Sequence, residues 1–352
     1  MDFVRIMSKP LKGGVTAIYP RLQIVNSKDL MIRGGDFYAI WLEDRGIWST
    51  DEMDVVDLID SEVEKYYQEH KNSLEGHVIM LKMRDAESGV IDDWHRYCQR
   101  QMRDSYVPLD ETLVFSNSPI RKEDFASKRL PYPLEPGDIS AWDTLIGTLY
   151  SEEERHKLEW AIGSIVSGDS KKIQKFLVLY GAQGTGKSTI LHVIEQLFQG
   201  YCSTFDAQAL GASSNQFALE PFKSNPLVAI QHDGDLSRIE DNTRLNSLVS
   251  HETMMVNEKF KSAYAMDFKC MLLMGTNKPV RITDAKSGLI RRLIDVTPSG
   301  VTLSRRDYDQ AIKMIPFELG AIASYCLDVY KQDPHYYDDY MPIGMMGASN
   351  DL

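Results

Sequence analysis

Residues 177–190 read "LVLYGAQGTGKSTI". A short apolar run ends at Gly181. Gly184, Gly186, Lys187 and Ser188 then complete the pattern G-x-x-x-x-G-K-[ST], and a helical pattern follows. An unbroken apolar run of this length suits a strand buried on both faces. Glycines at these positions let backbone N–H groups turn inward around phosphate oxygens, at the positive end of the helix that follows. The stretch therefore predicts a strand, a phosphate loop and a helix. Gly181, Ala182, Gln183, Gly184, Thr185, Gly186, Lys187, Ser188 and Thr189 would cradle a nucleotide, Lys187 would reach its β/γ-phosphates, and Ser188 would hold Mg²⁺.

The pattern continues in kind on the C-terminal side. Residues 187–198 carry helical periodicity, "PLVAIQ" reads as a strand, 239–249 as a helix and "CMLLMGT" as another strand. Buried strands alternating with helices predict an α/β layered P-loop core around a mainly parallel sheet. On the N-terminal side, Trp142, Leu145, Ile146 and Leu149 form one apolar stripe and Leu158, Ala161, Ile162 and Ile165 another, predicting two helices. Residues 117–139, with Pro119, Pro131, Pro133 and Pro136, predict a linker. Residues 36–48 read as a hairpin, and the apolar spacing from Val55 to Tyr67 as an amphipathic helix. The expected organisation is an N-terminal α+β domain (1–116), a linker (117–139), a helical collar (140–170), the ATPase core (171–300) and a C-terminal helical segment (301–352) in which Pro316 interrupts the helix.

Four candidate groups accompany the loop. A phosphate-cleaving site needs a carboxylate at a neighbouring strand end to help hold Mg²⁺ and orient the attacking water. "LVAIQHDGDL" offers Asp233 first and Asp235 second. Asn277, after "MLLMGT", can hydrogen-bond the γ-phosphate or the water, or cap the turn before Pro279. Arg291 and Arg292, read as the start of a strand, offer a guanidinium that could act on a neighbouring subunit's phosphate, or an interface ion pair. Lys259, Phe260 and Lys261, near a hairpin tip, combine cations and an aromatic ring as single-stranded nucleic acid requires, although lysines at such tips are commonly just solvated.

Composition limits the alternatives. A hydrophobic share of 43% with 26% charged residues excludes global disorder. The chain has no run of apolar residues long enough for a membrane helix and no secretory signal pattern, so a cytoplasmic protein is expected. Four well-separated cysteines lack zinc spacing. The net charge of −12 is unevenly spread: residues 51–70 hold eight Asp/Glu against one Lys, whereas 251–300 hold eight Lys/Arg against five Asp/Glu. A basic working surface is compatible with the acidic total.

In order, "GAQGTGKST", "LVAIQHDGD", the Lys-rich hairpin, "MLLMGTN" and "GLIRRL" resemble the motifs of superfamily 3 helicases, specifically primase–helicases of phages, plasmids and large DNA viruses. The resemblance covers about residues 140–300 and is weaker over the first 115. It implies an AAA+-like hexameric ring that hydrolyses ATP with Mg²⁺ at subunit interfaces and moves 3′ to 5′ on single-stranded or forked DNA. A primase domain or replication initiator is a further implied partner. By position it assigns Lys187 and Ser188 to the first motif, Asp233 to the second, Asn277 to the sensor, Arg292 to the finger, and Lys259 and Lys261 to the DNA-contacting hairpin. The chain reads either as the motor portion of a longer primase–helicase or as a short version of one. Competing readings are a packaging or remodelling motor and a nucleotide-dependent loader or scaffold.

Overall fold

The computed structural model describes residues 1–23, 27–33, 35–101, 107–237, 239–259, 262–278 and 288–340. The chain divides into two units: residues 1–109 with 120–128, and 110–119 with 129 onward.

In the smaller unit, β1 (Val4–Leu11) pairs antiparallel with β2 (Val15–Leu22). β3 (Leu30–Arg33), β4 (Asp36–Leu42) and β5 (Ile47–Ser49) form an antiparallel meander that includes the expected hairpin. Helix α1 (Glu52–His70) starts at Asp51, whose carboxylate accepts from the Met53 N–H, and buries Val55, Val56, Ile59 and Val63. Its acidic face has structural work: Asp60 accepts from the Met83 and Arg84 N–H groups, and Asp57 pairs with Arg84. β6 (His77–Met80) joins β2 in parallel, and α2 (Val90–Arg100) supplies Trp94, which packs against Phe3 and Phe37.

The larger unit is an α/β layer structure. Helices α3 (Ser140–Leu149) and α4 (Glu152–Ser167) precede β7 (Phe176–Tyr180). There follow α5 (Lys187–Leu197), β8 (Cys202–Thr204), α6 (Ala207–Gly211), β9 (Val228–Gln231) and α7 (Thr243–Val249). A separate antiparallel hairpin, β10 (Thr253–Val256) with β11 (Tyr264–Asp267), leads to β12 (Met271–Thr276), β13 (Leu293–Val296) and α8 (Arg305–Gln332). The five-stranded sheet has the order β13-β7-β12-β9-β8, and every pair is parallel.

Strand β7 explains its own sequence. Leu177 and Leu179 face a core shared with α3, α4, α5 and α8, whereas Phe176 and Val178 face a second core with Phe205, Phe222, Leu245, Leu248 and Phe268. Both sides of the sheet are covered, so the alternation of a half-exposed strand is absent. Residues 140–170 share this first core with the sheet. The proline-rich stretch divides: 120–128 goes with the smaller unit, whereas Leu130 and Tyr132 are buried in the larger one.

The expected interruption at Pro316 does not occur. Helix α8 runs unbroken from Arg305 to Gln332 with Pro316 inside it. An interior proline costs roughly 3 kcal/mol of helix propensity. Its apolar stripe continues on both sides of the proline, through Ala311, Ile315, Leu319, Ile322, Ala323 and Cys326, and burial of that stripe holds the helix together. Among the described residues no helix is long and apolar enough to cross a membrane.

Candidate functional site

Because the sheet is parallel, β7, β12 and β9 end at the same edge, where ligand crevices of open α/β sheets form. Three connections leave from that edge: the glycine-rich loop after β7, Asn277 after β12, and His232–Asp233 after β9. The loops are stitched to the sheet by backbone bonds, Gly181 N–H to the Thr276 carbonyl at 3.2 Å and Gly234 N–H to the Gly275 carbonyl at 2.8 Å. Gly184 and Gly186 hold φ of +78° and +91°, a region where an L side chain is strained. A Cβ on Gly186 would also lie 2.7 Å from Leu149.

The result is a cleft of about 540 Å³ whose walls include the glycine loop with Lys187, Ser188 and Thr189, and His232, Asp233 and Asn277. Lys187 Nζ donates to the Gly181 and Ala182 carbonyls, at 2.7 Å each. Burial pushes its pKa down, and the charge of Asp233 opposes that shift. The donor set suits a polyphosphate with a hard cation: loop amides and an ammonium for the phosphates, a hydroxyl (Ser188) and an exposed carboxylate (Asp233) for Mg²⁺.

Asp235 stands differently. It does not line the cleft; Lys278 Nζ lies 2.8 Å from it and Ser237 N–H donates to it at 2.8 Å. These bonds, that of Lys278 foremost, hold its pKa down at about 2. It braces the turn after β9, leaving Asp233 as the carboxylate facing the cleft.

The two arginines are not in this cleft. They occupy a 3-10 turn, Ile290–Arg292, before β13, not the strand itself as expected. The parallel register pairs Leu293 with Phe176, the first residue of β7, so the arginines lie at the edge of the sheet opposite the glycine loop. Arg292 donates to Ser250 Oγ at 2.9 Å and to the Gly288 carbonyl at 3.0 Å, and burial lowers its pKa. Both line a second cleft of about 680 Å³, with Lys172, Lys175, Tyr330 and Asp338 among its walls. Lys259 is exposed beyond β10, its Nζ 5.9 Å from the Phe217 ring centroid. Phe260 and Lys261 lie outside the described residues.

Sequence reasoning missed the far wall of the cleft beside the glycine loop. Leu149 ends α3, and Thr302, Leu303 and Tyr308 come from the approach to α8 and its first turn; Tyr308 OH lies 3.1 Å from Thr189 Oγ1. No local motif marks these positions, because their role depends on α3 and α8 packing beside α5.

A family profile described as a family of unknown function (DUF5906) matches residues 179–292, from β7 to the second arginine. No curated protein sequence matches the chain. Solved structures of the NrS-1 C-terminal region are similar. The apo form of residues 305–718 shows 18% identity and a TM-score of 0.46, over 57% of this chain and 50% of that one. An A-form apo structure shows 17% identity and a TM-score of 0.47, over 62% and 52%. The chain thus spans about half the length of these structures.

Proposed function

We propose that this chain is an ATP-hydrolysing DNA motor of the superfamily 3 helicase type, acting as a homohexameric ring on single-stranded or forked DNA with 3′ to 5′ movement. The observation that carries the reading is the convergence of Lys187, Ser188, Asp233 and Asn277 on one cleft from the ends of three neighbouring parallel strands.

In this reading the loop amides and Lys187 hold the phosphates of ATP, and Ser188 and Asp233 hold Mg²⁺, whose charge neutralises the developing negative charge. Asp233 orients the attacking water, and Asn277 hydrogen-bonds the γ-phosphate or that water. Arg292, with Arg291 beside it, would serve a neighbouring subunit's nucleotide. Its place at the opposite sheet edge supports action in trans, since it cannot reach the cleft of its own chain. Lys259 with Phe260 and Lys261 would contact DNA.

Unwinding of a forked duplex by wild type and Lys187→Ala tests the proposal. Loss of unwinding in the variant supports it. Equal unwinding refutes it, and ATP hydrolysis without any unwinding turns the reading to a packaging or remodelling motor. ATP-dependent oligomers without turnover would indicate a loader or scaffold.

A further inference from the structure

Beside the phosphate-binding set, three side chains converge, of which His232 also lines the same cleft. His192 and Glu195 stand about one turn apart on α5, and His232 follows β9 immediately before Asp233. His232 Nε2 lies 2.6 Å from Glu195 Oε1, and the two imidazole rings are 4.5 Å apart between centroids. One ligand atom from each residue lies within 4.8 Å of the others, a closeness that no other trio of His, Cys, Asp or Glu reaches among the described residues.

One detail points beyond a simple hydrogen-bonded pair. His192 Nδ1 is 2.6 Å from the Ser188 carbonyl. A carbonyl only accepts, so the proton sits on Nδ1 and Nε2 is left with its lone pair, the outer hydrogen bond that typically orients a metal-binding imidazole.

We propose that His192, Glu195 and His232 bind one divalent transition metal ion of the Zn²⁺ class. Two imidazoles and a carboxylate match that class, whereas Mg²⁺ prefers oxygen ligands alone. Tetrahedral ligands of Zn²⁺ lie roughly 3.3–3.5 Å apart. The three ligand atoms, now within 4.8 Å of one another, would be drawn in to that spacing by a bound ion. Water completes the shell, and binding displaces the proton shared by His232 and Glu195. The ion would clamp α5 to the end of β9, the two elements that carry Ser188 and Asp233. The site itself does not depend on the proposed motor activity.

The test uses the full chain, stripped with a chelator and dialysed without nucleotide. Zn²⁺ is titrated against a chromophoric chelator, and Co²⁺ is added separately for its visible absorption. Wild type is expected to take up one ion per chain. His192→Ala, at an exposed position, and Glu195→Gln, which keeps an acceptor for His232 but loses the charge, should each weaken Zn²⁺ binding more than about ten-fold, the scale on which even outer partners of metal sites act. Zn²⁺ binding that is absent from wild type, or unaltered by His192→Ala, would overturn the assignment. In either case the trio would be a hydrogen-bonded pair with a neighbouring histidine.

Discussion

Glu318 decides how α3 meets α8, and its removal has a size that can be worked out. Helix α3 has no side-chain cap of its own at Ile139. The Glu318 carboxylate, buried to 5% exposure, accepts instead from Ala141 N–H at 3.0 Å and 3.1 Å and from Trp142 N–H at 3.1 Å. Hydrogen bonds to charged groups contribute about 1.5–3 kcal/mol each, and two donors are served here. Losing an N-cap costs about 0.5–2 kcal/mol. Because these ranges describe overlapping contributions, Glu318→Ala should destabilise the larger unit by about 3 kcal/mol. Glu318→Gln keeps an acceptor but loses the charge, and should cost about 1 kcal/mol. Urea unfolding gives the stability change. Hydrogen exchange of a peptide spanning 138–145 should speed up roughly 100-fold in the alanine variant, at 1.4 kcal/mol per factor of ten. An alanine variant within about 0.5 kcal/mol of wild type, or no less stable than the glutamine variant, would refute the capping role.

Other consequences follow from the same geometry. A Cβ on Gly163 would lie 1.9 Å from the Cys326 carbonyl oxygen, a backbone atom of α8, so Gly163→Ala should force α4 and α8 apart and cost at least about 1–3 kcal/mol, read as a lowered midpoint of chemical unfolding. The depressed pKa of Asp235, about 2, means that its stabilisation is fully present above the ordinary carboxylate value of 3.8 and is lost as pH falls through about 2. Lys278→Ala should raise that pKa toward the ordinary value, an upward shift that a carboxyl NMR titration would detect. Lys259→Ala combined with Lys261→Ala should weaken single-stranded DNA binding and lower its salt slope by about one unit while sparing basal ATP hydrolysis; an unchanged slope would return these lysines to a solvated hairpin tip.

What the sequence disclosed follows the range of the interactions involved. The strand, glycine loop and helix at 176–197 were legible because each depends on neighbours in the chain: two-sided burial of "FLVLY", glycines where φ is positive, and a helix start at Lys187. The parallel sheet was legible from the alternation of apolar runs and helices. Helix α8 was misread because propensity at Pro316 is local, whereas the burial that overrides it comes from α3, α4 and α5. The division of labour between Asp233 and Asp235 was open in the sequence, since two carboxylates one residue apart look alike until Lys278 and Ser237 are seen to engage one of them. Tyr308, Thr302 and Leu149 were invisible for the same reason of distance. The His192–Glu195 spacing on α5 was a readable signal, but its third member, His232, arrives only through the pairing of β9 with β12.

The central claim is that Lys187 and Asp233 serve one bound MgATP. The direct test is ATP turnover by the full chain with Mg²⁺, with and without single-stranded DNA, for wild type, Lys187→Ala, Asp233→Asn and Asp235→Asn. The account predicts DNA-stimulated turnover in wild type, a loss of at least about 100-fold in Lys187→Ala and Asp233→Asn, on the scale of removing one transition-state contact, and retained turnover in Asp235→Asn. Turnover that survives Lys187→Ala, or that is lost with Asp235 but not with Asp233, would contradict it.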